Sequence, residues 1–198
     1  MEWLATLGRT LGFSLAAGVN LYATLAILGL ASRYGWVALP AQFQVFNNDV
    51  VIVAAIVMYV VEFFADKIPY FDSLWDAIHT IIRPVGGALI AVATLGDASP
   101  ATKGVIAILG GTVAASSHLT KTSTRAAANT SPEPFSNWIL SVLEDVFAVD
   151  LGYTALKYPV LAFGIALIVL VLIAVFAVVI VRTVRAWFRR RRRAPAAY

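Results

Sequence analysis

The sequence predicts an all-α bundle of about six transmembrane helices, some short or broken. Two observations carry that expectation. First, the 198 residues are 60% hydrophobic and 13% charged, with mean hydropathy +0.82. Water-soluble domains run at about 45–50% and about 25%. Second, Val160 to Val181 holds no charge and arginines follow it, the pattern of a lipid-facing span with a basic flank. At about 20 residues per span, the length suits one domain of five or six spans over residues 1–181, with a basic cytoplasmic tail at 182–198.

The net charge of +4 describes that tail. Arg182, Arg185 and Arg189 to Arg193 are seven of the fifteen basic residues, and without them the chain has formal charge −3. Arginines directly after a span are explained by orientation, so no nucleic-acid partner is expected. They suit anionic lipid instead. With no cysteine, disulfides, thiol catalysis and thiolate metal sites are excluded.

The N-terminus carries Glu2 before any basic residue, which is no ordinary signal-peptide pattern, and is expected to be retained. The first span runs from about Leu11 to Ala31, interrupted by Gly18, Val19 and Asn20. Asn20 has two readings: a cross-helix hydrogen bond in packing, or a binding site at a broken helix. A loop with Arg33, Pro40 and Asn47–Asp49 follows. The second span, from about Val50 to Phe64, extends into Glu62 and Asp66, which share a helix face.

Pro69 is expected to break the chain. Asp72, Asp76, His79 and Arg83 then fall within roughly 60° of one helix face. Pro84 should kink or end that helix, and the next apolar run is too short to span alone. A kinked third span from about Ser73 to Leu95, polar stripe inward, resolves this. Gly96 to Lys103 reads as a turn. The fourth span begins at Gly104; His118, Thr122, Arg125 and Asn129 share a face that would line a polar space. Ser116, Thr120, Ser123 and Ala127 form a small-residue face suited to helix contact. Pro132 and Pro134 end this segment. The fifth helix, about Phe135 to Ala148, puts Asn137, Ser141 and Glu144 on one side, with Asp145 off that stripe.

Basic residues set the topology. A cytoplasmic tail and six crossings put the N-terminus inside too, with Lys67, Arg83, Lys121 and Arg125 cytoplasmic and Arg33, Lys103 and Lys157 outside. Five spans result if the fifth helix lies on the surface. Residues 16–24 and 114–122 share four of nine identities at an offset of 98, aligning Asn20 with His118. An inverted repeat of three helices each, over 10–96 and 104–181, is one reading of this.

Two polar constellations emerge. Glu62, Asp66, Asp72, Asp76, Glu144 and Asp145 are acidic; His118, Thr120, Lys121, Thr122, Arg125 and Asn129 are basic or polar. Carboxylates suit hard cations, and Lys, Arg and hydroxyls suit phosphate or carboxylate. The plain alternative is mutual neutralisation by structural salt bridges. His79 beside Asp72 and Asp76 permits a divalent-cation site but matches no specific zinc motif; His118 has a proton-carrier reading. No nucleophile elbow, P-loop or dinucleotide fingerprint is present.

The strings E-x3-D-K-I-P-x2-D-S-x-W-D at Glu62–Asp76, R-P-x-G-G-A at Arg83–Ala88, T-K-T-S-T-R-A-x2-N-x-S-P at Thr120–Pro132 and P-x2-N-x3-S-x2-E-D at Pro134–Asp145 resemble the bacterial membrane-protein family called domain of unknown function 4126. The resemblance covers about residues 10 to 180. It implies a single domain in the inner (plasma) membrane of a bacterium and transfers no mechanism.

Three functions follow as expectations. The first is a small transporter or channel-like permease for an ion or small polar or anionic solute, acting as a homodimer. Its path would be lined by Asn20, Glu62, Asp66, His118, Lys121, Thr122, Arg125, Asn129 and Glu144. The second is a membrane-embedded enzyme or headgroup binder. There Asp72, Asp76 and His79 would hold a divalent cation against a phosphate on Lys121 and Arg125. The third is a non-catalytic scaffold.

Overall fold

The computed structural model describes residues 2–68, 71–130 and 135–193, with α7 side chains described as far as Arg189. Pro69, Pro132 and Pro134 lie outside the described residues. These comprise seven α-helices, one short 3-10 helix and no strand: α1 Glu2–Val19, α2 Leu21–Tyr34, the 3-10 helix Ala41–Phe46, α3 Asp49–Ala65, α4 Phe71–Ala93, α5 Pro100–Ala128, α6 Phe135–Lys157 and α7 Pro159–Arg193. Helices α4 and α7 (the latter over Pro159–Arg189) are long and apolar enough to cross a membrane.

The expected first span over Leu11–Ala31 is two helices. Asn20 is extended (φ −147°) and caps α2, its Oδ1 accepting from Ala23 N, as short polar side chains do at helix starts. The chain also reverses there. Along α6, Gly12 of α1 lies against Ala155 and Asn20 is bonded to Asp145; Ile27 of α2 lies against Gly152. Both helices therefore leave Asn20 in the same direction. At their shared end Ser32 donates to the Phe43 carbonyl, and the Phe43 ring sits 6.0 Å from Phe13. Leu28, Ala31, Phe46 and Ile90 complete the apolar core there.

Five helices then traverse the bundle. α3 starts with Ile52 against Gly29 and ends at Glu62 and Asp66 beside Lys121. α4 returns from Asp72, beside Asn129, to Thr94, whose hydroxyl meets that of Thr10. α5 opens with a Ser99 cap and Pro100 in its first turn, four residues earlier than expected. α6 runs to Lys157 rather than Ala148. α7 starts against Gly8 and continues as helix through the expected tail boundary at 182 to Arg193.

Other expectations change. α1 begins at the end of the bundle from which α7 departs, so Glu2 and Arg189 lie at opposite ends rather than the same end. The halves also differ: Asn20 breaks its helix, whereas His118 lies inside unbroken α5. Pro84 does not end α4, which continues from Phe71 to Ala93. The polar stripe Asp72, Asp76, His79 and Arg83 is buried as expected, while Leu74, Ile78 and Ile81 are exposed.

Candidate functional site

The reversal at Asn20 delivers the end of α1 into a layer of buried charge. The last carbonyls of a helix have no partner within it, and here cations supply them. Arg83 Nη1 donates to Gly18 O at 3.1 Å, and Lys121 Nζ donates to Val19 O at 3.2 Å. The helix dipole adds to this match, since its C-terminal end is negative.

Arg83 is completely buried and central. Its Nη2 donates to Glu62 Oε1 at 2.7 Å and lies 3.6 Å from Asp76. Its Nη1 also donates to His118 Nδ1 at 3.0 Å. Lys121 pairs with Asp66 at 2.8 Å, Glu62 at 3.5 Å and Glu144 at 3.7 Å. Arg125 pairs with Glu144 at 2.6 Å and Asp66 at 3.0 Å, reaches Asp72 at 3.8 Å, and donates to the Asp66 carbonyl at 2.7 Å. The acidic and basic constellations thus form one network. Glu62, Asp66, Asp72 and Asp76 are buried in it, and the Glu144 side chain is 14% exposed.

Arg83 was expected on the α4 stripe but not on the path. Its signal is its position: it ends a buried polar stripe inside an apolar segment. Asp145 is the other omission. It is buried on α6, and its Oδ1 accepts from Asn20 Nδ2 at 2.9 Å. The stripe expected from Asn137, Ser141 and Glu144 includes it.

His118 does not line an open space. Its Nε2 bonds the Asp76 carbonyl at 3.1 Å, and its Nδ1 meets Arg83. A carbonyl only accepts and a guanidinium only donates, so the ring is neutral with its proton on Nε2. In α5 the contact face is Gly110, Val113, Ala114, Ser117, His118, Lys121 and Arg125. On the small-residue face, Ser116 and Thr120 are half-buried and line a recess against α7 together with Ser123, while Ser123 and Ala127 are exposed. Thr122 lies beside the network, its hydroxyl donating to the Leu119 carbonyl. Asn129 caps the end of α5 and donates to Asp72 at 2.9 Å.

The trio Asp72, Asp76 and His79 does not converge. Asp72 accepts from Ser73 N and Asn129, while Asp76 faces Arg83. His79 uses both nitrogens: Nδ1–H donates to the Trp75 carbonyl at 2.7 Å, and Nε2 accepts from the Tyr22 hydroxyl at 2.9 Å. Among the described residues no group of three or more His, Asp or Glu is placed to hold a metal ion.

Three recesses approach the network. One of about 380 Å³ between α4 and α5 is lined by Ser73, Asp76, Thr80, Thr122, Ser123 and Arg125. One of about 270 Å³ has apolar walls from α6 and α7, with Lys121 and Glu144 at its polar edge. The third, also about 270 Å³, lies between α3 and α6 and reaches Asp145.

The chain matches, over residues 7–179, the family described as domain of unknown function (DUF4126), and it belongs to that family. No curated protein and no solved structure matches it.

Proposed function

We propose that the chain is an integral membrane protein, a small transporter or channel-like permease for an ion or small polar solute. The observation that carries this is the α1–α2 hairpin, whose tip meets the buried charges. Irregular backbone at membrane depth is tolerated only inside protein or at a cavity, and interrupted helices whose ends face bound ions are a transporter device. Here the free carbonyls of Gly18 and Val19 are held by Arg83 and Lys121. Buried ionisable groups on this scale are costly and mark pathways.

Membrane residence is supported by an exterior of Val53, Val57, Ile81, Leu89, Ile108 and Ile168, all exposed, around a charged interior. That inverts the arrangement of a water-soluble protein. With the arginine end cytoplasmic, α3 to α7 make five crossings and the hairpin enters from outside, leaving the N-terminus external. The membrane is the inner membrane of a bacterium.

The recess holding Thr122, Ser123 and Arg125 favours a second reading, a headgroup binder. Proteoliposomes loaded with a panel of small ions, phosphate and carboxylates test both. Flux above that of empty liposomes, lost in folded Asp66→Asn and Arg125→Gln, is the transport outcome. No flux, with a phospholipid retained in native mass spectrometry and lost in Arg125→Gln, is the binder outcome.

A further inference from the structure

The network contains more acid than base. Glu62, Asp66, Asp72, Asp76, Glu144 and Asp145 face four cations: Arg83, Lys121 and Arg125 in the network, and Lys67 at its edge, bonded to Ser141. Five of the six carboxylates lie within 4 Å of one of those cations. Asp145 is the exception. Its single hydrogen bond comes from a neutral amide, and its Oδ2 is buried with no hydrogen-bond partner among the described residues. A buried carboxylate with no cation within salt-bridge distance is disfavoured in its charged form.

We propose that Asp145 is a reversible proton-binding site, and that the proton is the coupling ion of the transport reading on which this inference rests. The proton adds to Oδ2 and converts the carboxylate to the neutral acid. Oδ1 then becomes the acid's carbonyl oxygen and keeps its bond from Asn20. That amide cannot turn, because its own oxygen caps α2 through Ala23 N. One donor therefore serves both protonation states, and only Oδ2 is free to change.

The recess bears on the choice of ion. Asp145 lies in its wall with Tyr59, Phe63, Val142 and Val146, and exposed Asp150, five residues further along α6 and in the same recess, offers a relay carboxylate. A metal ion needs several oxygen ligands, and these walls are mainly apolar. Groups facing Asp145 come from several elements. Glu62 and Asp66, from α3 and its end, favour protonation as like charges, and the Tyr59 phenol is neutral and adds no charge. Lys121 from α5 opposes it, as does Lys67, whose Nζ bonds Ser141 one turn along α6. Glu144 and Asp150 on its own helix favour it.

Infrared difference spectroscopy of the full-length protein in nanodiscs, titrated in pH, reads the site directly. The expected result is a carboxylic-acid carbonyl band that grows as pH falls while the helical amide band stays native. The band is lost in Asp145→Asn and retained in Asp150→Asn. In Asn20→Ala it moves to higher frequency, because the acid carbonyl loses its donor; this variant serves if Asp145→Asn does not fold. A wild type with no such band throughout its folded range, or a band unchanged in both Asp145→Asn and Asn20→Ala, overturns the proposal. Removal of the band by sodium at constant pH also overturns it, in favour of a metal cation. Flux is a separate readout: a protein with the band and no flux keeps the proton site and loses the transport reading.

Discussion

Asn20 and Asp145, 125 residues apart, are joined by one hydrogen bond of 2.9 Å at the point where the chain reverses. The same amide caps α2. Asn20→Ala therefore removes two interactions: a cap worth about 1 kcal/mol, and the donor to a buried carboxylate, roughly 1–3 kcal/mol more. Asn20→Asp keeps the cap but sets two carboxylates against each other. Thermal unfolding in detergent should rank wild type above Asn20→Ala, and Asn20→Ala above Asn20→Asp at neutral pH. Equal midpoints for wild type and Asn20→Ala would mean the bond carries no load.

Glu62 and Arg83 are both fully buried, 2.7 Å apart. Removing one partner of such a pair leaves an uncompensated charge and costs about 3–5 kcal/mol, whereas replacing both by apolar residues of similar volume is often neutral. Arg83→Met should thus be severe, and Arg83→Met with Glu62→Met less severe than the two single losses combined. Lys121 retains Asp66 and Glu144 in the double variant. Additive losses in chemical denaturation would show that the pair acts through separate partners.

Gly18 packs at the tip of the hairpin, where a Cβ would run into the Ala114 carbonyl and lie 2.7 Å from the Ser117 Cβ. Backbone cannot yield as a side-chain end can, so Gly18→Ala should cost about 1–3 kcal/mol by overpacking. Since Gly18 O accepts from Arg83, the displacement should also weaken the charge network. Gly104 lies inside α5 with open space around it, and Gly104→Ala in parallel should not lower the unfolding midpoint but raise it slightly, by up to about 0.5–1 kcal/mol of helix propensity.

Much of the site was legible, in proportion to how local its signal is. Asp72, Asp76, His79 and Arg83 recur on one helix face, so their burial follows from periodicity once the surroundings are apolar. Asp145 falls off the expected stripe because it lies about 80° from Asn137 at 100° per residue; the buried stripe of α6 drifts in that direction. Thr122 fails the other way: the buried arc of α5 centres nearer Lys121 than His118, which leaves Thr122 at its margin. The break at Asn20 is signalled by a capping residue inside an apolar run. The direction of the chain after it is not, because Asp145 and Gly152, far along the sequence, set that direction.

The reversal gives a topology that labelling can read. The chain has no cysteine, so each introduced thiol is the only one. Glu2, Trp36 and Asp97 belong to the end of the bundle holding the start of α1, the loop after α2 and the loop after α4. Thr130 and Val184 belong to the other end, where α5 finishes and α7 becomes basic. All five are exposed. In intact spheroplasts a membrane-impermeant maleimide should label Glu2→Cys, Trp36→Cys and Asp97→Cys, and should reach Thr130→Cys and Val184→Cys only after permeabilisation. Glu2 discriminates most sharply. A continuous first span with six crossings places it with Val184, whereas the hairpin places it with Trp36. Labelling of Glu2→Cys only after permeabilisation, with Trp36→Cys labelled from outside, would mean that α1 and α2 cross the bilayer as one interrupted span. The tip at Asn20 would then be a mid-membrane break rather than a hairpin entering from outside.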